Sequence, residues 1–233
     1  FLLISTCHLI IAVKAACGRL YEPNSASAPI SLQITNHQSP HNHITKQPHN
    51  HPKNSLSCSM NQSPLEEVLL KGYKTDMMNR IASNPNDIEE LIQLAIGDKY
   101  PFAWRAAWLL SDCMNFNDKR IKPFVTEIIQ CLPGKKDGHQ RELLKVLMNM
   151  NLNDEQEGIL FDHAVTIWEQ IDKRPSARHT AFVYILEVVK KYPELYQEID
   201  FYTQDHYVEP LSPGIKNSIQ RKIKSLKNVI KNS

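Results

Sequence analysis

From Ser63-Pro64 to the end of the chain, apolar residues recur three and four positions apart, and short clusters of Pro, Gly, Asn or Asp interrupt them. That spacing is the signature of helices with one buried face, since side chains at i, i+3 and i+4 share one side of a 3.6-residue turn. The pattern predicts helices over residues 64–71, 75–83, 86–97, 101–115, 118–132, 138–151, 154–172, 176–192, 194–204 and 213–231, and no strand. Pro64 fits a first helical turn, where its missing N–H costs nothing.

Four of these helices align. Arg105, Arg141, Arg178 and Lys216 open them at separations of 36, 37 and 38 residues, which is a repeat period. Three positions later stand Trp108, Leu144, Ala181 and Ile219, and seven later Asp112, Met148, Ile185 and Ile223. Asp112 alone breaks the apolar stripe, near a helix end. Helices of matching phase lie between, carrying Ile121, Val125, Ile128 and Ile129, then Leu160, Ala164, Ile167 and Trp168, then Leu195, Ile199 and Tyr202. Each unit is a helix pair too small to bury both its apolar faces, so neighbouring pairs must stack into a right-handed superhelix with a concave and a convex side.

Helix pairs of this length, with a basic residue opening an apolar second helix as in Trp104-Arg105-Ala106-Ala107-Trp108-Leu109-Leu110, resemble HEAT and armadillo repeats. The resemblance covers residues 86–231 in four repeats, and the families' proline in the first helix is matched once, by Pro123. It implies an all-α fold, an α-α superhelix or solenoid over residues 60–233, and a non-enzymatic scaffold that binds a protein or peptide partner.

Residues 1–59 differ in kind. The first thirteen, FLLISTCHLIIAV, are an apolar run followed by Lys14, Ala15, Ala16 and Cys17. One of two competing readings makes them the apolar core of a signal peptide with its start missing, but Lys14 sits where a lipoprotein cleavage site wants an aliphatic residue. A membrane-spanning helix needs about 20 apolar residues, more than this run supplies. Residues 22–59 are dense in Pro, Ser, Asn and His, and bury too little apolar surface to offset the entropy of ordering, so disorder is expected. Because ordinary helical composition begins at Met60, the preferred reading makes Met60 the start and residues 1–59 translated upstream sequence. His37, His41, His43, His49 and His51 offer imidazoles without fixed geometry, and no metal site is assigned to them.

Charge adds to the picture. The net charge of +2 is unevenly spread: residues 1–59 carry four basic and one acidic side chain, and residues 215–232 six basic and none acidic. Removing +3 and +6 leaves the intervening body at −7. An acidic body argues against a nucleic-acid protein, whose affinity comes largely from neutralised phosphates. Five cysteines, Cys7, Cys17, Cys58, Cys113 and Cys131, form no C-x-x-C pair, and the last two fall in apolar helical patterns. They read as small buried hydrophobes in a reducing, cytoplasmic compartment.

No phosphate-cradling glycine loop, nucleophile elbow or H-E-x-x-H helix occurs. No catalytic residue, metal site or cofactor is therefore assigned. Arg105, Arg141, Arg178 and Lys216 are the candidate binding residues, able to pair with acidic groups of a partner or to make ladder contacts between repeats. Trp104, Trp108 and Asp112, at i, i+4 and i+8, form an alternative site similar to the cleft of the HEAT-like glycosylases that remove alkylated DNA bases, though two tryptophans at that spacing are more simply core. His139, His163, His179 and His206 stand singly in separate helices. The last helix alternates Ile215, Ile219, Ile223, Leu226 and Ile230 with six cations, and is read as a cap on the stack, or else as a surface for nucleic acid or acidic lipid. A monomer without a membrane span is expected.

Overall fold

The computed structural model describes residues 62–231. The expectations for residues 1–59, including their disorder, the histidine cluster and the start at Met60, lie outside the described residues. Within the described residues every regular element is helical: α1 (Pro64–Lys71), α2 (Lys74–Ser83), α3 (Asp87–Ile96), α4 (Phe102–Cys113), α5 (Val125–Cys131), α6 (Asp137–Met148), α7 (Asp154–Glu169), α8 (Pro175–Lys191), α9 (Tyr196–Tyr202), α10 (Asp205–Val208) and α11 (Pro213–Lys231). Single 3₁₀ turns at Lys122–Phe124, Leu132–Gly134 and Pro193–Leu195 flank α5 and precede α9.

Local chemistry sets the boundaries. Ser63 caps α1 by accepting the Glu66 N–H at 3.1 Å, with Pro64 in the first turn. Asn153 and Gln156 exchange side-chain and backbone bonds in a capping box at the start of α7. The predicted helix 118–132 begins late, because Asp118 turns its carboxylate back onto the backbone N–H groups of Asn115 and Arg120 and onto the Arg120 guanidinium. Asn117 meanwhile adopts φ 52° and bonds the 149–151 loop through its N–H and its side chain. Pro123 then admits only a 3₁₀ turn before α5 starts. Gly72 separates α1 from α2 by a close turn, in which a Cβ would come within 2.6 Å of the Val68 carbonyl oxygen.

Packing follows the repeat. The first helices α3, α5 and α7 form one row, the second helices α4, α6, α8 and α11 form the other, and α3/α4, α5/α6 and α7/α8 pack as pairs. The α1/α2 hairpin packs on α4 at one end of the stack, while α11 meets α8 at the other. The core between the rows is continuous: Leu91, Ile92, Leu109, Leu110, Ile128, Leu143, Leu144, Leu147, Leu160, Phe182, Ile185 and Val189 all lie within it. Burial of such side chains is the main stabilising term, and the stack shares it between neighbouring pairs rather than within each pair.

Candidate functional site

The four aligned cations occupy four different environments. Arg178, at the start of α8, is fully buried. It donates Nε to the carbonyl of Trp168 at 2.9 Å and Nη2 to that of Tyr207 at 2.7 Å, and its guanidinium lies 4.7 Å above the Trp168 ring. Burial lowers its pKa. Arg178 thus ties the end of α7 to α10, and no part of it reaches the surface.

Arg105 reaches back to the α1–α2 turn, with Nη2 3.4 Å from the Gly72 carbonyl oxygen, while its buried Nε has no hydrogen-bond partner among the described residues. Arg141 binds Glu142 Oε1 through Nε and Nη2 at 2.8 and 2.5 Å and places Nη1 3.4 Å from Ser176 Oγ on α8. Glu142 is fully buried and also pairs with Lys145. Lys216, on the terminal helix, is half-buried.

A second set of cations, which the sequence reading passed over, links the repeats. Lys99 Nζ donates to Glu66 at 2.6 Å, Lys135 Nζ to Asp98 at 2.6 Å, and Lys173 Nζ to Asp137 at 3.2 Å. Lys135 also donates to the Gly97 carbonyl at the end of α3, and Lys173 to Gln140. These lysines stand 36 and 38 residues apart in the turns before α4, α6 and α8, so the repeat period itself was the signal. Lys135, by its hydrogen bond and its charge, holds the Asp98 carboxyl below the usual range. Burial would raise Asp137, but the Arg174 backbone N–H at 2.6 Å and Lys173 together lower it.

Between these ties a groove of about 690 Å³ opens across the N-terminal ends of α4, α6 and α8. Trp104 and Tyr100 provide its aromatic surface, and Lys135, Lys136, Arg141 and Arg174 its cations, against the carboxylates of Asp98 and Asp137. Trp104 faces Gly138 at the start of α6, where a Cβ would sit 3.4 Å from the indole nitrogen. His139 closes the inner side, buried, with Nε2 2.7 Å from the Ala95 carbonyl oxygen; burial lowers its pKa and keeps it neutral. A neutral ring bonded to a carbonyl must present Nε2 as the donor.

The groove excludes Trp108 and Asp112. Those two lie one and two turns further along α4, where Lys74 of α2 binds Asp112 at 2.7 Å and lies 5.6 Å from the Trp108 ring. Trp104 and Trp108 are both half-buried; Trp108 packs against the core, whereas Trp104 lines the groove. Among the described residues no group of three His, Cys, Asp or Glu is placed to hold a metal, and no helix is long and apolar enough to cross a membrane.

The family model of the HEAT repeat domain matches residues 62–226. The chain belongs to the HEAT-repeat family. The match begins with α1, so the HEAT array takes in the α1/α2 hairpin as well as the four units aligned by their basic residues. Comparison with curated proteins returned no match, and neither did comparison with solved structures.

Proposed function

We propose that this HEAT-repeat chain is a non-enzymatic scaffold, working in a reducing compartment, that recognises a protein or peptide partner through the concave face lined by its second helices. The observation that carries the reading is the groove across the ends of three successive second helices, lined by aromatic and charged side chains. A partner laid along it would touch three repeats at once, which is how a stacked array gains contact area from small units. The ionisable side chains elsewhere in the stack favour a structural account: Arg178 binds backbone carbonyls, Glu142 is neutralised by Arg141 and Lys145, and Asp112 is paired with Lys74. None of them is left as a base or nucleophile beside a cavity.

Affinity capture of the chain from its host, followed by lysine cross-linking and mass spectrometry, tests the reading. Cross-links from the partner should converge on the exposed Lys136 and on neighbouring second-helix positions. Cross-links confined to the outer row α3, α5 and α7, or release of a methylated base from an alkylated oligonucleotide, would count against it.

A further inference from the structure

The groove is not electrostatically neutral, and what remains after its internal bonds are subtracted has one sign. Lys135 is committed to Asp98 and the Gly97 carbonyl, and Asp137 to Lys173 and the Arg174 backbone N–H. Lys136 joins no ion pair among the described residues, and its Nζ lies 5.1 Å from the centroid of the Tyr100 ring. Arg174 lines the groove with a guanidinium that joins no ion pair or hydrogen bond among the described residues. Arg141 keeps Nη1 turned toward Ser176 on the groove wall. Beside these cations lie two aromatic surfaces: Tyr100, 70% exposed, and Trp104, whose indole N–H has no acceptor among the described residues.

Resting on the scaffold reading, we propose that this groove takes a short acidic segment of a partner protein, with carboxylates on Lys136, Arg174 and Arg141 and an apolar or aromatic side chain against Trp104 and Tyr100. A short segment is favoured over a nucleic acid by the surroundings. The local cations attract a carboxylate within a Debye length of about 8 Å, whereas a polyanion running beyond the groove meets a body of charge −7. Arg141, held by Glu142 and facing Ser176, provides a fixed donor, while Lys136 and Arg174 close from either side at the caps of α6 and α8. The absence of a side chain on Gly138 leaves the Trp104 indole open beside the backbone of α6.

The test uses the full chain and a panel of fluorescein-labelled peptides of about ten residues, glutamate-rich with one Trp or Leu at varied positions, read by fluorescence anisotropy. Glutamine-for-glutamate and lysine-for-glutamate versions and a single-stranded oligothymidylate serve as competitors. At least one acidic peptide should bind with Kd below about 100 µM, weaken as salt is raised, and weaken about tenfold or more in the Lys136→Ala/Arg174→Ala variant and in Trp104→Leu. The variant Lys224→Glu, on α11, should bind like the parent, and circular dichroism should show all the variants folded. The proposal is overturned if no acidic peptide binds, if the glutamine versions bind as well, if Lys224→Glu loses as much as the groove variants, or if oligothymidylate displaces the peptide at lower concentration. Should it fail while a captured partner still cross-links to second-helix lysines, the scaffold reading survives and only the acidic chemistry falls; loss of both results removes the two together.

Discussion

The guanidinium of Arg178 covers the indole of Trp168 at 4.7 Å and at the same time takes that residue's carbonyl oxygen at 2.9 Å. The Trp168 indole N–H in turn donates to the Tyr202 carbonyl at 2.9 Å, and Phe182 packs on its ring at 4.4 Å. The buried cation therefore holds the C-terminal end of α7, where the helix dipole favours positive charge, against α10, while the indole beneath it holds α9 of the same next unit.

Removing that cation leaves two carbonyl oxygens buried without donors. Arg178→Met should lower the unfolding free energy by about 3 kcal/mol, and Arg178→Lys by nearly as much, because a single ammonium lacks the planar fork that spans both carbonyls. Urea unfolding followed by circular dichroism measures this. A loss under about 1 kcal/mol for Arg178→Met would mean the lock contributes little beyond packing.

The three lysine ties should differ in strength according to their exposure. The Lys173 side chain is 16% exposed and bonds both Asp137 and Gln140, whereas Lys99 is 47% exposed and bonds Glu66. Lys173→Met is expected to cost about 1–2 kcal/mol and Lys99→Met under about 1 kcal/mol, the range of a screened surface pair. Equal losses, or a larger one at Lys99, would contradict the ranking.

Acid should destabilise the fold in two stages. Burial lowers the pKa of His139, His163 and His179, so in the unfolded chain these rings bind protons at higher pH than in the folded one. Their contribution is complete above about 6.5, the ordinary histidine value, and is lost as pH falls through that range toward the folded values. Asp118, held down to about 2 by the Arg120 side chain, contributes above its ordinary carboxylate range and loses that contribution as pH falls toward about 2. Denaturant midpoints measured between about pH 7.5 and 5 should therefore fall, and fall less in His139→Gln. A flat profile over that interval would refute the histidine stage.

Burial pushes the Cys113 thiol up to about 11 and raises Cys131 as well. Thiolate is the reactive form. Iodoacetamide at pH 8 should leave both unmodified in the folded protein and label both in urea, read peptide by peptide in mass spectrometry. Rapid labelling of Cys113 without denaturant would show that the end of α4 opens readily.

The helix periodicity was legible because burial on one face forces a 3.6-residue pattern onto the sequence: α1 runs over Pro64–Lys71 as expected, and α8 and α11 fall within a residue of their predicted spans. Where prediction and structure part, a local polar bond outweighed the pattern. Asp118 folds its carboxylate onto nearby N–H groups and delays α5, and α10 forms in a segment without apolar periodicity. The repeat phase pointed to Arg105, Arg141 and Arg178, but phase cannot tell whether a cation turns outward or into a seam. At Arg178 the apolar residues around it, Trp168 and Phe182, leave only carbonyls for it to bind. The groove was hidden for another reason: Tyr100, Lys136 and Arg174 come from three turns and Gly138 from a helix start, segments that carry no periodicity and meet only once the second helices lie side by side.

Each lysine tie spans 33 to 37 residues and joins only adjacent units. Such an arrangement has no bolt running its full length. Flexing is shared among the joints in the manner of a coil spring, and a guest wedged into one joint would be felt chiefly by the coils on either side of it.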